Sequence, residues 1–159
     1  MIRKFYQYSV LIFALASCTI TTSTDDDITP DGPVISDQVA QGKASTPDAF
    51  VLKTAFYRNE TLFGKEGYRF SLYDKNADCT SGFAPISFFI TKLDKGATQG
   101  QGPYFYYYVD AKNFGTTSFM GCDVIITNVT ATTVEGKVKG GNTTTNQYIE
   151  GKFTATLCK

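Results

Sequence analysis

Residues 123–157 read DVIITNVTATTVEGKVKGGNTTTNQYIEGKFTATL. Apolar and polar residues alternate through three parts of this stretch, 123–129, 133–139 and 148–157, and turn-forming residues separate them. Alternation with a period of two places one face of a strand in a core and the other in water. The stretch therefore predicts three consecutive antiparallel strands that run up, down and up.

The residues before this meander follow a similar pattern. Runs of β-branched and aromatic residues, bounded by Gly, Pro, Asn and Asp, predict further strands over 49–58, 68–73, 86–91 and 104–109. The segments between strands are predicted to be turns or irregular loops: 59–65, 74–85, 93–102, 110–121 and 140–146. About seven or eight strands without a convincing helix predict an all-β domain over residues 46–159, either an antiparallel β-sandwich or a squat barrel.

The first 17 residues have the pattern of a secretory signal peptide. Arg3 and Lys4 precede a short apolar run, which is far shorter than the ~20 residues that a membrane-spanning helix needs. Leu15-Ala16-Ser17-Cys18 resembles the lipobox of bacterial lipoproteins. The resemblance implies cleavage before Cys18, a diacylglyceryl group on its thiol and acylation of the new amino terminus. The alternative is an ordinary signal peptide in which Cys18 is incidental.

Residues 18–45 lack a periodic apolar pattern and are rich in Thr, Asp, Pro and Gly, which predicts an acidic, flexible tether. Thr19 follows the cysteine where an Asp would retain a lipoprotein in the inner membrane under the familiar sorting rule. Asp25-Asp26-Asp27 resembles the acidic signal that sends lipoproteins of Bacteroidota-type bacteria to the cell surface. A merely solvated tether is the alternative. The expected location is the outer membrane, with the domain on its periplasmic or surface-exposed face.

Two segments of the meander resemble small surface lipoproteins of Bacteroidota-type bacteria whose function is uncharacterised. They are Ile126-Thr-Asn-Val129 with Val134-Glu-Gly-Lys-Val138, and Ile149-Glu-Gly-Lys-Phe-Thr-Ala-Thr-Leu-Cys158. The resemblance covers about the last forty residues. It implies an all-β fold more than any activity.

Three cysteines remain after Cys18, so at most one disulfide forms within the domain. The meander places Cys122 and Cys158 at opposite ends of a strand of about 23 Å, while bridged Cα atoms lie within ~7 Å. That pair is disfavoured, so Cys79 is expected to bond one of the two. We favour Cys79–Cys158, which would hold the C-terminus in place.

Oxygen-bearing side chains recur at every second position in Asp74, Asn76, Asp78 and Thr80. Calcium loops present ligands with this spacing, since Ca²⁺ takes six to eight hard oxygens. However, Cys79 stands where such loops have glycine, and Pro85 stands where they have a bidentate Glu. A plain solvated loop is the alternative, and no other cofactor is expected.

Tyr104, Tyr106 and Tyr108 share one face of a predicted strand, with Phe105 and Tyr107 on the other. If the tyrosine face is exposed, its rings and hydroxyls suit stacking on sugars. The alternative is a sheet in which both faces are buried or half-buried, because tyrosine is a good strand former.

Catalysis and nucleic-acid binding find little support. The chain has no histidine, which excludes Ser-His-Asp and Cys-His arrangements and histidine metal sites. After residue 45, twelve basic residues face ten acidic ones, without a concentrated basic patch. The sequence thus predicts a non-enzymatic, membrane-anchored lipoprotein that binds a glycan or a partner protein of the cell envelope. A structural or accessory lipoprotein without a small ligand is the alternative, and a hydrolase is a remote one.

Overall fold

The strands of the meander pair as the alternation of apolar residues predicts. The computed structural model describes residues 33–44, 49–108 and 114–159, and there it contains ten strands and no helix. The strands are β1 (Gln41–Lys43), β2 (Ala49–Val51), β3 (Thr54–Leu62), β4 (Lys65–Tyr73), β5 (Ile86–Ile90), β6 (Gly96–Tyr108), β7 (Phe114–Ser118), β8 (Cys122–Val129), β9 (Thr133–Asn142) and β10 (Gln147–Leu157). Since β8, β9 and β10 are successive antiparallel neighbours, the all-β class and the meander are confirmed.

Seven of the strands close into a barrel. Neighbouring strands follow the order β3-β4-β5-β6-β8-β9-β10, and β10 then pairs with β3. All neighbours in this ring are antiparallel except β10 and β3, which run parallel with Thr156 opposite Phe56. The sheet is therefore mixed rather than purely antiparallel, and of the sandwich and the barrel it is the barrel that forms.

Three further strands extend this ring. β1 and β2 form a hairpin that pairs with the first half of β10, where Gly42 lies opposite Ile149. β7 pairs with the second half of β6 and lies in line with β8, which pairs with the first half. Pro103, which has no amide hydrogen to donate, lies on β6 opposite the break between β7 and β8.

Aromatic side chains fill the interior of the barrel. Tyr57, Phe70 and Phe88 lie opposite one another on β3, β4 and β5, with ring centroids 5.4 Å and 4.8 Å apart. Phe153 of β10 meets the rings of Phe70 and Phe88 edge-on, at 5.3 Å and 5.5 Å. All four side chains are buried. Because the centre of the barrel is packed with side chains, binding surfaces are to be sought on its outside.

Part of the predicted tether differs from the expectation. Ile35, Ala40 and Ala44 are buried, and β1 lies between the last two. The Ala40 amide donates to the carbonyl oxygen of Lys152, whose own amide donates to the carbonyl oxygen of Gln38. Val34 and Val39 are exposed, and the buried residues that flank β1 are alanines, so the apolar residues here do not alternate in a way that indicates a strand. The signal peptide, Cys18 and the tether up to residue 32 lie outside the described residues.

Four segments that are predicted to be turns or loops contain strand residues instead. In 59–65 only Phe63 and Gly64 lie between β3 and β4, and β9 extends to Asn142 in the predicted loop 140–146. The prediction of a turn over 93–102 is wrong because β6 begins at Gly96, and the irregular stretch 110–121 contains β7. Glycine is required in this part of β6, because a Cβ at Gly100 would lie 2.7 Å from the Sγ atom of Cys122. The single strand predicted over 49–58 is divided between β2 and β3.

The disulfide prediction is confirmed. Cys79 and Cys158 are bonded, with their Cα atoms 5.5 Å apart. Cys122 is a buried free thiol on β8. Burial raises the pKa of Cys122 to about 12, and the neighbouring carboxylate of Asp123 adds to that effect. The thiol of Cys122 is therefore uncharged at neutral pH and serves as a small apolar core side chain.

Candidate functional site

A groove lies on the outer face of the barrel, across β3, β4, β5 and β6. It has a volume of about 850 Å³, which is in the range of ligand pockets. Side chains alternate along a strand, so the residues between the core positions point outward into it. Those lining the groove are Phe56, Arg58 and Glu60 of β3, Arg69, Ser71 and Tyr73 of β4, Ser87 of β5 and Tyr106 of β6.

The loop between β4 and β5 borders this groove and is fixed to the barrel. Within the loop, Cys79 is bonded to Cys158, which directly follows β10. The Cys158 amide donates to the carbonyl oxygen of Tyr57 at 2.9 Å, so the disulfide joins the loop to the seam between β10 and β3. The Tyr73 hydroxyl donates to the carbonyl oxygen of Gly82 at 2.8 Å. The loop therefore presents its side chains to the groove in a defined position.

An exposed aromatic ring marks the edge of the groove. Phe83 of the loop is 61% exposed, although its ring packs in a stacked arrangement on Tyr106, 5.7 Å between centroids. The amide of Tyr106 donates to the carbonyl oxygen of Pro85 at 2.9 Å, which ties this end of the loop to β6. A large apolar ring that is both exposed and held in place is a suitable surface for stacking a ligand.

Arg69 organises the polar floor of the groove. Its Nε and Nη2 atoms each donate to one carboxylate oxygen of Glu60, both at 2.7 Å. Its Nη1 atom donates to the hydroxyls of Ser87 at 3.2 Å and Tyr106 at 3.3 Å. The guanidinium also lies over the ring of Tyr104, 5.7 Å from its centroid. Arg69 thus links β3, β4, β5 and β6 on the outside of the barrel.

The pair of Arg69 and Glu60 makes stability depend on pH. The hydrogen bonds and the charge of Arg69 hold the pKa of Glu60 below its usual value of 4.5, against an opposing effect of burial. A carboxylate whose pKa is lower in the folded state stabilises the fold above its unfolded pKa. That contribution is lost as the pH falls through the folded pKa.

We expect Glu60→Gln to lower the free energy of unfolding by about 1 kcal/mol at neutral pH, because Gln keeps the size of the side chain but loses the charge and one of the two oxygens that accept from Arg69. The difference from wild type is expected to narrow as the pH falls below about 4.5, the usual pKa of a glutamate, and then through the lower pKa of Glu60 in the folded protein. Urea unfolding of the wild type and of Glu60→Gln, from neutral pH to below 4.5, measures this difference in the free energy of unfolding. A difference that stays as wide in acid as at neutral pH would contradict the assignment to the carboxylate charge.

Arg58 lies directly opposite Arg69 in the pairing of β3 with β4. Its side chain is 63% exposed, and its single hydrogen bond within the described residues is a long one, 3.5 Å from Nη2 to Oε2 of Glu60. That oxygen already accepts the shorter bond from Arg69. Most donors of the Arg58 guanidinium therefore face the groove unused.

The predicted tyrosine surface is divided by the structure. Tyr106 lines the groove. Tyr104 is half-buried under Arg69, where burial raises its pKa against the opposing charge of Arg69. The side chain of Tyr108 lies outside the described part of the chain. One of the three predicted residues thus lines the groove, and a second supports its floor.

The predicted calcium ligands remain a prediction. Oδ1 of Asp78 accepts hydrogen bonds from the amide of Thr80 at 2.9 Å and from its hydroxyl at 2.8 Å, and the hydroxyl of Ser81 also donates to it at 3.1 Å. These bonds lower the pKa of Asp78 and close a turn. Asp74 and Asn76 are exposed on the same loop. Within the described ranges, no group of three or more Asp, Glu, Cys or His side chains is placed to hold a metal ion.

Several residues of the groove were not singled out from the sequence. The sequence pattern predicts a turn at Glu60, strand positions for Arg58 and Arg69, and a polar loop around Phe83. They come from three separate segments, so no local spacing connects them. One feature of the sequence could have pointed to the groove. Arginine occupies an outward position on each of two adjacent strands, Arg58 on β3 and Arg69 on β4.

The chain was compared with known protein families, curated proteins and solved structures. No protein-family model, curated protein or solved structure matches the chain. In the ranges 33–44, 49–108 and 114–159 no helix is long and apolar enough to cross a membrane.

Proposed function

We propose that this protein is a non-enzymatic, lipid-anchored protein of the cell envelope that binds a carbohydrate in the groove across β3–β6. The observation that carries the proposal is the exposed ring of Phe83, held on Tyr106 beside the charged floor of the groove. A sugar ring offers an apolar face for stacking and hydroxyls for hydrogen bonding. An aromatic ring next to guanidinium and carboxylate groups is complementary to both features.

The rigidity of the groove supports binding. The disulfide at Cys79 and the hydrogen bond from Tyr73 to Gly82 fix the loop that carries Phe83. A site that is already ordered loses less conformational entropy when a ligand binds. A preformed site matters most for weak ligands such as short sugars, because their few contacts must offset the loss of conformational entropy on binding.

The state of the carboxylates supports a binding role over hydrolysis. Glycoside hydrolysis generally uses two carboxyl groups, one of which has a raised pKa so that it can act as an acid. In the groove, the pKa values of Glu60 and Asp78 are both lowered, by Arg69 and by the hydroxyls of Thr80 and Ser81 respectively. Both carboxylates are engaged within the protein and are poor proton donors.

The lipid anchor is part of the proposal through the sequence Leu15-Ala16-Ser17-Cys18. Acyl chains on Cys18 would hold the protein at the outer membrane, on its periplasmic or surface-exposed face. The residues between Cys18 and the described part of the chain would then give the barrel reach from the bilayer. Mass spectrometry of the protein from membranes tests the acylation of Cys18.

A partner protein is the second candidate ligand, and the edge of β7 favours it. Among the described residues, β7 pairs with β6 alone. A strand with a free edge can accept a strand from another chain. In that case the protein would be an accessory component of an envelope complex, and a stable partner would co-purify with it from solubilised membranes.

A thermal-shift screen of the full chain in detergent against neutral and acidic polysaccharides tests carbohydrate binding. A ligand that binds only the folded state stabilises it by about 2.7 kcal/mol at 100 times its Kd, so we expect a rise of several degrees with at least one glycan. Phe83→Ala is expected to remove the rise. The matched control is Phe63→Ala, because Phe63 is also exposed but lies in the turn between β3 and β4, outside the groove. A rise that persists in Phe83→Ala, or no rise with any glycan, would contradict the proposal.

A further inference from the structure

The floor of the groove contains more positive than negative charge at one point. Arg58 and Arg69 lie opposite each other on the outer face, and among the described residues Glu60 is the one acidic side chain that contacts them. Both oxygens of Glu60 are taken by short hydrogen bonds to Arg69. The charge of Arg69 is thereby balanced, while that of Arg58 is not.

The other acidic side chain that lines the groove, Asp78, forms no ion pair with Arg58 among the described residues. Asp78 is bound to the hydroxyls and the amide of its own turn. The charge of Arg58 reaches Tyr73 on the next strand, where it lowers the pKa against the larger raising effect of burial. Asp78 raises the pKa of the same tyrosine, so its charge also acts in the groove. What distinguishes Arg58 is its exposed guanidinium, which lines the groove and makes one long hydrogen bond among the described residues.

We propose that the ligand of the groove is a sugar that bears a carboxylate, and that Arg58 binds this carboxylate and determines the preference for acidic over neutral sugars. This inference rests on the proposed function and names its ligand class. The planar guanidinium presents paired donors that match the two oxygens of a carboxylate. An acidic sugar has both a carboxylate and a ring. In the groove, Arg58 can bind the carboxylate and Phe83 can stack on the ring.

The geometry makes Arg58 a determinant of specificity and not of the fold. Its side chain is 63% exposed and makes one long hydrogen bond, so replacing it removes little that stabilises the barrel. Arg69, in contrast, has a side chain that is 14% exposed and binds three strands, which makes it a structural residue. A substitution at Arg58 can therefore separate ligand preference from stability.

The test uses ligand pairs that differ only in the acidic group. Binding of trigalacturonate and its methyl ester, and of sialyllactose and its methyl ester, is measured by calorimetry with the full chain in detergent. In a pair that binds, we expect the acidic member to bind roughly tenfold more tightly or better, as for a hydrogen-bonded charge pair. The difference is expected to shrink as salt is added.

Arg58→Gln is expected to reduce the affinity for the acidic sugar to about that of its neutral counterpart. The affinity for the neutral sugar is expected to fall much less, because that sugar has no carboxylate to pair with the guanidinium. Arg58→Lys, which keeps the charge but loses the paired donors, is expected to lie between the two. Lys92→Gln is the matched control, because it removes an exposed positive charge outside the groove. Unchanged melting temperatures show that the variants fold.

Each outcome bears on one of the two proposals. Equal affinity for acidic and neutral sugars, or an acidic preference that survives in Arg58→Gln, would overturn the inference while carbohydrate binding stands. If neither these sugars nor the wider polysaccharide screen shows binding, both proposals fail. A preference that disappears in Arg58→Gln and persists in Lys92→Gln would support both.

Discussion

Replacing Phe70 with alanine is expected to lower the free energy of unfolding by about 4 kcal/mol, the range found when a buried phenylalanine is truncated. Phe70 is fully buried, and its ring stacks on those of Tyr57 and Phe88 and meets Phe153 edge-on. Four strands of the barrel meet at this one side chain. Alanine leaves a cavity that rigid strands on all sides cannot fill by collapse.

Chemical denaturation of the Phe70→Ala protein measures this loss. We also expect a fall in the melting temperature of roughly 15 °C. Phe63→Ala serves as the control for the loss of a phenyl group, since Phe63 is 79% exposed and should change stability by less than about 0.5 kcal/mol. A loss at Phe70 below about 1.5 kcal/mol would show that the aromatic core repacks more easily than its geometry indicates.

Removing the disulfide in a Cys79→Ala, Cys158→Ala double variant is expected to lower the free energy of unfolding by about 4 kcal/mol. The two cysteines are 79 residues apart, so the bond restricts a long loop of the unfolded chain. It also joins the loop that carries Phe83 to the end of β10. We therefore expect glycan binding to weaken along with stability, which calorimetry on the folded double variant can show.

Unfolding of the wild-type protein with and without a thiol reductant gives an independent measurement of the same effect. Cys122→Ala is the matched control, because it removes a buried thiol but leaves the bond between Cys79 and Cys158. Its stability should respond to the reductant as the wild type does. The same response in the double variant would mean that the reductant acts elsewhere.

The sequence allowed the most regular parts of the fold to be predicted. The strands β8, β9 and β10 alternate apolar and polar residues, and this local pattern predicted their pairing. The distance between their ends argued against a bond between Cys122 and Cys158, but it left Cys79 to bond either cysteine. The barrel closure could not be predicted in the same way. It depends on a parallel pairing of Thr156 and Leu157 with Phe56 and Tyr57, which no local pattern encodes.

Elements without an apolar pattern were missed. The first half of β6 reads Gly-Ala-Thr-Gln-Gly-Gln-Gly, and its glycines were interpreted as turn residues although close packing against Cys122 explains Gly100. The buried residues before β2 are mainly alanines, such as Ala40 and Ala44, and gave no signal against a polar background. In both segments the strand forms because of its tertiary contacts and not because of its own apolar pattern.

The candidate site was predicted only in its aromatic part. Tyr106 was chosen because a run of tyrosines is visible in the sequence, whereas Phe83 stood alone in a polar loop. The pairing of Glu60 with Arg69 depends on the antiparallel register of β3 and β4 and on the rotamers of both side chains. A charged network of this kind can be recognised only once the register is known.

The parallel seam between β10 and β3 also has a kinetic consequence. It joins residues about 100 positions apart in the chain, Thr156 with Phe56, so the barrel cannot close until a very large loop has been ordered. Folds dominated by such distant contacts reach the native state in milliseconds to seconds, roughly a thousandfold or more slower than helical bundles. We therefore expect one edge of β3 to stay unpaired while the rest of the sheet forms. We expect partly folded molecules to associate through this edge.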